Sequence, residues 1–296
     1  MSSMHAAPAS PALVKIAVAQ MTSVNNSDVN FQTCASLVKA ACEAGAAMLF
    51  LPECHSFIGA TASESLGQAQ QLNGPLMTAY QELARSNALW LSLGGFQEVG
   101  PDPAHLYNTH VIIDSDGELV SRYRKIHLFD VDIPNGPVLM ESNTTAPGDE
   151  AVVCDSIAGR IGVTVCYDLR FPELYQTLTW GMGATLIAVP SAFTKMTGEA
   201  HWEILLRARA IECQAYVVAA AQAGRHSERR ESFGNALIID PWGKIVARLE
   251  DPLATGIATA DIDMSLLQQI RAKMPIATHR LRGQTAYVSK VVDKNT

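Results

Sequence analysis

Apolar positions along the first third of the chain alternate between strand-like runs and helical spacing. LVKIAVA at 13–19 is a short apolar run of β character. Ser27 and Asp28 offer a helix cap, and Phe31, Leu37, Val38 and Ala41 follow at helical spacing until Gly45. MLFLPE at 48–53 predicts a second strand. Pro75 opens a helix with Leu76, Tyr80 and Leu83 on one face, and LWLSLGG at 89–95 predicts a third strand. The order so far is β-α-β-α-β.

The rhythm then changes. Residues 109–124 (THVIIDSDGELVSRYR) read as a hairpin turning at Asp114–Gly117, and residues 235–249 (NALIIDPWGKIVARL) repeat it. Asp114, Gly117, Val120 and Arg122 correspond to Asp240, Gly243, Val246 and Arg248. Each hairpin follows a β-α-β stretch, so the halves read as internal copies, each a sheet with helices on one face. Paired sheet to sheet, they make an α/β fold, a four-layer α-β-β-α sandwich. No Pro/Gly/Ser linker divides them, so 13–282 is expected to be a single domain, with a disordered tip at 1–12 and a tail at 283–296. The stretch 126–150 has few apolar periods and is long for a plain connection, which is common for functional loops.

Composition narrows the classes. Of 296 residues, 48% are hydrophobic and 17% charged, the balance of a packed globular protein. The net charge is −7 and no Lys/Arg run is long enough to track phosphates, which argues against a nucleic-acid partner. No apolar run reaches the ~18 residues of a membrane span, and the Ala/Ser/Pro-rich start resembles no secretory signal. The six cysteines form no CxxC, so free thiols in a reducing compartment, the cytoplasm, are expected. The eight histidines lack metal-type spacing, and neither a metal nor another cofactor is implied.

Three polar residues fall where strands end: Glu53 after FLP, Lys125 after ELVSRYR and Cys166 after GVTV. Sites in open α/β sheets gather outside the carboxyl ends of strands. Singly, each residue reads as well as a solvated Glu or Lys or a core Cys; together they can meet in one pocket.

LPE at 51–53, RKIHLFD at 124–130 and CYDLRFPE at 166–173 resemble the three signature segments of the nitrilase superfamily of C–N hydrolases. The resemblance runs from about residue 13 to about residue 280. It implies a Glu-Lys-Cys triad on an α-β-β-α sandwich, with Glu53 as general base, Cys166 as thioester-forming nucleophile and Lys125 as oxyanion partner. It also implies the Tyr167 backbone N–H as a second oxyanion donor, and Glu141 as a residue that orients Lys125 or assists proton transfer. Arg170, with Thr194 and Thr197, would hold a substrate carboxylate; an ion pair of Arg170 with Glu173 is the plainer reading. Asp168 would cap or orient the elbow at Cys166, and His201-Trp202-Glu203 reads as a helix N-terminal packing feature.

SAFTKMTGEAHWE at 191–203, RARAIE at 207–212 and DPWG at 240–243 look like the Nit branch of amidases. The segment 217–243 looks like the members that act on deaminated glutathione, which implies a small-molecule amide substrate and 2-oxoglutarate and cysteinylglycine as products. Two alternatives stay open: ω-amidase activity on 2-oxoglutaramate, and a partner-binding module such as those fused to a nucleotide-binding partner in some animals. The loop AGRHSERRES at 223–232 carries Arg225, His226, Arg229 and Arg230. It reads either as a solvated turn between strands 215–221 and 234–240 or as a cationic seat for the glycine carboxylate of that substrate. The apolar helices at 170–183 and 201–213, with the family habit of pairing through an outer helical layer, imply at least a homodimer.

Overall fold

Strand β1 (Val14–Met21) is buried on both faces, with Ile16 and Val18 on one side and Ala17 and Ala19 on the other. A strand covered on both sides reads as a continuous apolar run, which is how 13–19 reads. The computed structural model describes residues 13–132, 138–228 and 230–280. The expected tip and tail, and residues 281–282 of the expected domain, lie outside the described residues.

Helix α1 (Ser27–Glu43), strand β2 (Met48–Leu51), helices α2 (Ala62–Gly67) and α3 (Pro75–Asn87) and strand β3 (Trp90–Asp102) follow in that order. β1, β2 and β3 pair in parallel. The cap of α1 is Asn26, one residue before the expected pair. Asn26 keeps extended backbone and its side chain accepts from the Val29 amide, whereas Ser27 is already helical. Leu37 and Val38 of α1 and Met77 and Tyr80 of α3 pack on Ala17, Ala19, Leu49 and Leu51. β4 (His105–Ile113) and β5 (Leu119–Arg124) extend this sheet as the expected hairpin. Within 126–150 the structure holds a ribbon that apolar periodicity does not signal, β6 (Asp130–Asp132) against β7 (Val138–Met140).

The second half opens with β8 (Val152–Ser156) and β9 (Gly159–Val163), then helix α4 (Pro172–Gln176), β10 (Leu186–Ala188), α5 (Lys195–Cys213) and β11 (Tyr216–Ala219). The expected strand 215–221 then divides. β12 (Ala221–Arg225) leaves this sheet, pairs in parallel with β1 (Gln20 opposite Ala221) and forms a hairpin with β13 (Glu231–Phe233). The 223–232 segment is therefore the end of a hairpin on the first sheet, not a turn between strands of the second. β14 (Leu237–Ile239) and β15 (Ile245–Arg248) complete the second sheet in the order β15-β14-β11-β10-β9-β8. β16 (Gly256–Ile262) returns antiparallel to β1, and α6 (Met264–Lys273) follows.

The sheets meet face to face. Ile16, Val18, Met48 and Phe50 share one core with Ile161, Val163, Ile187 and Val217. Truncating Phe50, 1% exposed, to Ala costs about 3–5 kcal/mol. With helices outside each sheet, the architecture is the α-β-β-α sandwich. The helix expected over 170–183 is broken into a 3-10 turn (Cys166–Arg170), α4 and a π turn (Thr177–Gly181). Its Leu174, Tyr175 and Leu178 face the chain's own core.

Candidate active site

Cys166 takes a left-handed backbone conformation (φ 47°), which a non-glycine residue adopts at a cost of ~1–3 kcal/mol. Its amide donates to the Pro190 carbonyl at 2.9 Å. Asp168, fully buried, latches the elbow. One oxygen accepts from the Val165 amide (2.8 Å) and the Tyr123 hydroxyl (2.7 Å); the other accepts from the His127 amide and ring Nδ1. His127 in turn lies flat on Phe171, centroids 3.7 Å apart. Tyr167 sits in the first turn of the 3-10 segment, where backbone N–H groups have no intrahelical acceptor.

Glu53, Lys125 and Cys166 are all buried, and the fold brings them together. Lys125 follows β5, and its amide donates to the Asn108 carbonyl, so the β4–β5 register sets Asn108 beside it. The Lys125 ammonium donates to Glu53 Oε1 (3.1 Å) and to Glu141 Oε1 (3.1 Å) and Oε2 (2.8 Å). Asn108 Nδ2 donates to Glu53 Oε1 (2.9 Å) and Glu141 Oε1 (3.2 Å). Glu141 Oε2 also accepts from the Phe129 amide at 2.7 Å. Glu53 Oε2 accepts from the Ala192 amide at 2.9 Å, across the two halves, and the Cys166 thiol bonds to the same carboxylate.

Gly95 lets the strands approach here. It bulges out of the β3–β4 register at φ +64°, and a Cβ on it would lie 2.8 Å from both Asn108 Oδ1 and Glu53 Cγ.

The charges settle in one direction. Burial and the Glu53 carboxylate push the Cys166 thiol well above its ordinary pKa, against the pull of Lys125 and the Ala192 amide. Burial also pushes Glu53 up, but the Lys125 charge and the bonds from Cys166, Asn108 and Lys125 outweigh it, and its pKa falls below the usual carboxyl value. Burial pulls Lys125 down, while Glu141, Glu53 and Cys166 raise it well above the ordinary value. The resting pair is a protonated thiol beside an ionised carboxylate. Such a pair can pass a proton from sulfur to oxygen when an electrophile arrives.

The carbon–nitrogen hydrolase model matches residues 15–272. The chain belongs to the carbon–nitrogen hydrolase family. Human deaminated glutathione amidase is 48% identical over 270 residues, 90% of this chain and 81% of that protein. The Dictyostelium discoideum protein of the same name is 48% identical over 275 residues, 90% of this chain and 94% of its own length. The solved structure of the Caenorhabditis elegans NitFhit protein superposes with a TM-score of 0.86 at 45% identity, covering 92% of this chain and 66% of that one.

Around Glu53, Lys125 and Cys166 of this carbon–nitrogen hydrolase, the other expected residues are more dispersed. Arg170 is half-buried, packs over the rings of Tyr167 and Phe193 (5.7 Å each) and donates to His201 Nδ1 at 3.3 Å; among the described residues its polar partner is His201, not Glu173. A 3-10 turn has three residues per turn, so Arg170 is not stacked over Cys166 as an α-helix would place it. Thr194 caps α5, its hydroxyl 2.9 Å from that of Thr197, so both hydroxyls are engaged at the helix start. Trp202 lies in the second turn of α5, buried, donating to the Asn235 carbonyl.

The β12–β13 hairpin borders the same cluster. Gln222 donates to the Glu53 carbonyl, and Ser232 bridges Thr194. His226 is buried between the Ser23 carbonyl and the Ser232 hydroxyl, and its burial pulls its pKa to about 4. Arg225 and Arg230 are exposed, Arg230 close enough for its charge to act on the Cys54 thiol beside Glu53; Arg229 lies outside the described residues. Asn108, Gly95 and the Ala192 amide are the site members that sequence reasoning missed. The hairpin register, which sets Asn108 opposite Lys125, is the signal for the first.

Proposed function

We propose that this hydrolase is an amidase that cleaves deaminated glutathione to 2-oxoglutarate and cysteinylglycine through a thioester on Cys166. The observation that carries the chemistry is Glu53: Lys125 donates to its Oε1 while the same carboxylate is bonded to the Cys166 thiol. The substrate reading is supported by the names of the 48%-identical relatives.

In this reading the Cys166 sulfur attacks the amide carbonyl as its proton passes to Glu53 Oε2. The oxyanion is stabilised by the Lys125 ammonium and the Tyr167 N–H. Glu53 returns the proton to the leaving nitrogen, the C–N bond breaks, and cysteinylglycine departs. Water, deprotonated by Glu53, attacks the thioester; the C–S bond breaks, 2-oxoglutarate leaves, and the thiol regains the proton. Glu141 orients Lys125, because its oxygens accept from Lys125, Asn108 and the Phe129 amide. Arg170 is the seat for the keto-acid carboxylate, with Thr194 and Thr197 as further partners.

Assembly is proposed as a homodimer through the outer face of α5 and the β14–β15 turn, where Ile204 (71%), Ile211 (47%) and Trp242 (63%) are exposed. A reducing, cytoplasmic setting fits the six cysteines, free among the described residues. No helix of the described residues is long and apolar enough to cross a membrane.

Steady-state turnover of deaminated glutathione and 2-oxoglutaramate tests the substrate. The expected kcat/KM ratio favours deaminated glutathione by roughly 10-fold or more, the value of one charge-assisted contact. The reverse preference would assign the chain to ω-amidase chemistry.

A further inference from the structure

A carboxylate has about four lone-pair positions. Glu141 uses all of them: Oε1 accepts from Lys125 and Asn108, Oε2 from Lys125 and the Phe129 amide. Glu53 uses three on backbone and side-chain N–H groups: Oε1 accepts from Lys125 and Asn108, Oε2 from the Ala192 amide. The remaining position, on Oε2, is the one left for the Cys166 thiol, which shares the Ala192 amide with that oxygen.

We infer that Asn108 is a positioning residue that closes Oε1 of Glu53 and so commits the travelling proton to Oε2, the oxygen against sulfur. This rests on the general-base reading of Glu53. One ammonium faces two carboxylates here, and Asn108 is the neutral donor shared by both. Its amide orientation follows from those neighbours, since a carbonyl oxygen turned toward two carboxylates would be repelled.

The placement is poor for stability alone. Asn108 is buried, and its Oδ1 has no hydrogen-bond partner among the described residues. It is held over Gly95, where no Cβ would fit. Leaving a buried acceptor unpaired is costly. The arrangement gains an NH2 group at a point where both carboxylates need a donor and a second cation would cancel the negative charge the base requires.

Without Asn108, one Oε1 position opens and the ionised form of Glu53 loses a donor. The carboxyl then holds its proton more readily, and part of the protonated population carries it on the oxygen facing away from sulfur.

The test is the pH dependence of kcat/KM for the wild-type protein, Asn108→Leu, Asn108→Asp and Glu53→Gln, with circular dichroism and Tm as folding checks. In both Asn108 variants the acid limb should move to higher pH by about one unit or more. Plateau kcat should fall by roughly 10-fold or more, with KM nearly unchanged because Asn108 does not hold substrate. Asn108→Asp should show the larger shift, since it adds a third carboxylate. A loss equal at every pH, an unmoved acid limb, or variants that fail to fold would assign Asn108 to the fold and overturn the inference. If Glu53→Gln keeps its rate, the general-base reading itself falls; if Glu53→Gln is inactive while the Asn108 profiles match wild type, only the role of Asn108 falls.

Discussion

The β4–β5 and β14–β15 hairpins are built alike at their turns and differ at their open ends and tips. Asp114 accepts from the Asp116 and Glu118 amides at 2.9 and 2.8 Å; Asp240 accepts from the Trp242 and Lys244 amides at 2.9 and 3.0 Å. Gly117 and Gly243 both have left-handed backbone. A Cβ on the first would press on the Gln81 carbonyl of α3, and on the second against Ile211 of α5, at 2.6 Å each. Both strand pairs slip register beside an isoleucine, Ile113 and Ile239.

Away from the turn the copies diverge. Six residues before Asp114 and eleven after it stand Asn108 and Lys125; the matching places around Asp240 hold Gly234 and Asp251. At the tip, Asp116 of the first copy is replaced by the exposed Trp242 of the second. The turn sets where a hairpin sits on its helix layer. In the proposed mechanism and assembly, the residues at its open end and tip decide whether it serves chemistry or contact.

Substitutions at the two open ends should differ most. Lys125→Ala should lower kcat/KM by about 100- to 1,000-fold, the usual loss for an oxyanion partner. Asp251→Ala, at the equivalent place, should leave it within about 2-fold, as for a surface position outside the site. Cys166→Ser and Glu53→Gln should be at least as damaging as Lys125→Ala. Comparable losses at Lys125 and Asp251 would remove the functional difference between the copies.

Much of this was legible because each half obeys its own local rules. Continuous apolar runs mark doubly covered strands, and Asp-x-x-Gly marks both turns. Glu53, Lys125 and Cys166 end strands that point at one place. What stayed hidden depends on contacts between distant segments or on neutral groups. The Ala192 amide reaches Glu53 from the other half. Arg170 meets His201, which is 31 residues away. β12 changes sheets at Ala220–Ala221, inside an unbroken apolar run that carries no boundary signal. Asn26 displaced Ser27 as the cap because either residue type can serve and only backbone geometry chooses.

A smaller effect separates the hairpin that borders the site, β12–β13, from the two copies. Neutralising Arg225 and Arg230 together should raise KM for deaminated glutathione by roughly 10- to 150-fold, the value of a charge-assisted contact with its glycine carboxylate. KM for 2-oxoglutaramate, which lacks that group, should barely change. Equal losses on both substrates would take the hairpin out of substrate choice.

The smallest effect on turnover belongs to the tip of the second copy. Trp242→Glu should convert the proposed dimer to monomer by light scattering, with kcat/KM reduced less than about 10-fold because Trp242 is an exposed turn residue. A wild-type chain that already runs as a stable, active 32 kDa monomer would contradict the assembly proposal.

Cys166 is proposed to carry the acyl group. Rapid mixing with deaminated glutathione, acid quench and intact-mass spectrometry followed by peptide mapping tests it directly. The expected result is a transient 2-oxoglutaryl adduct on the peptide containing Cys166, absent from Cys166→Ala and formed far more slowly in Glu53→Gln. Full turnover with no adduct on Cys166 at any time point, or an adduct on Cys54 instead, would contradict it.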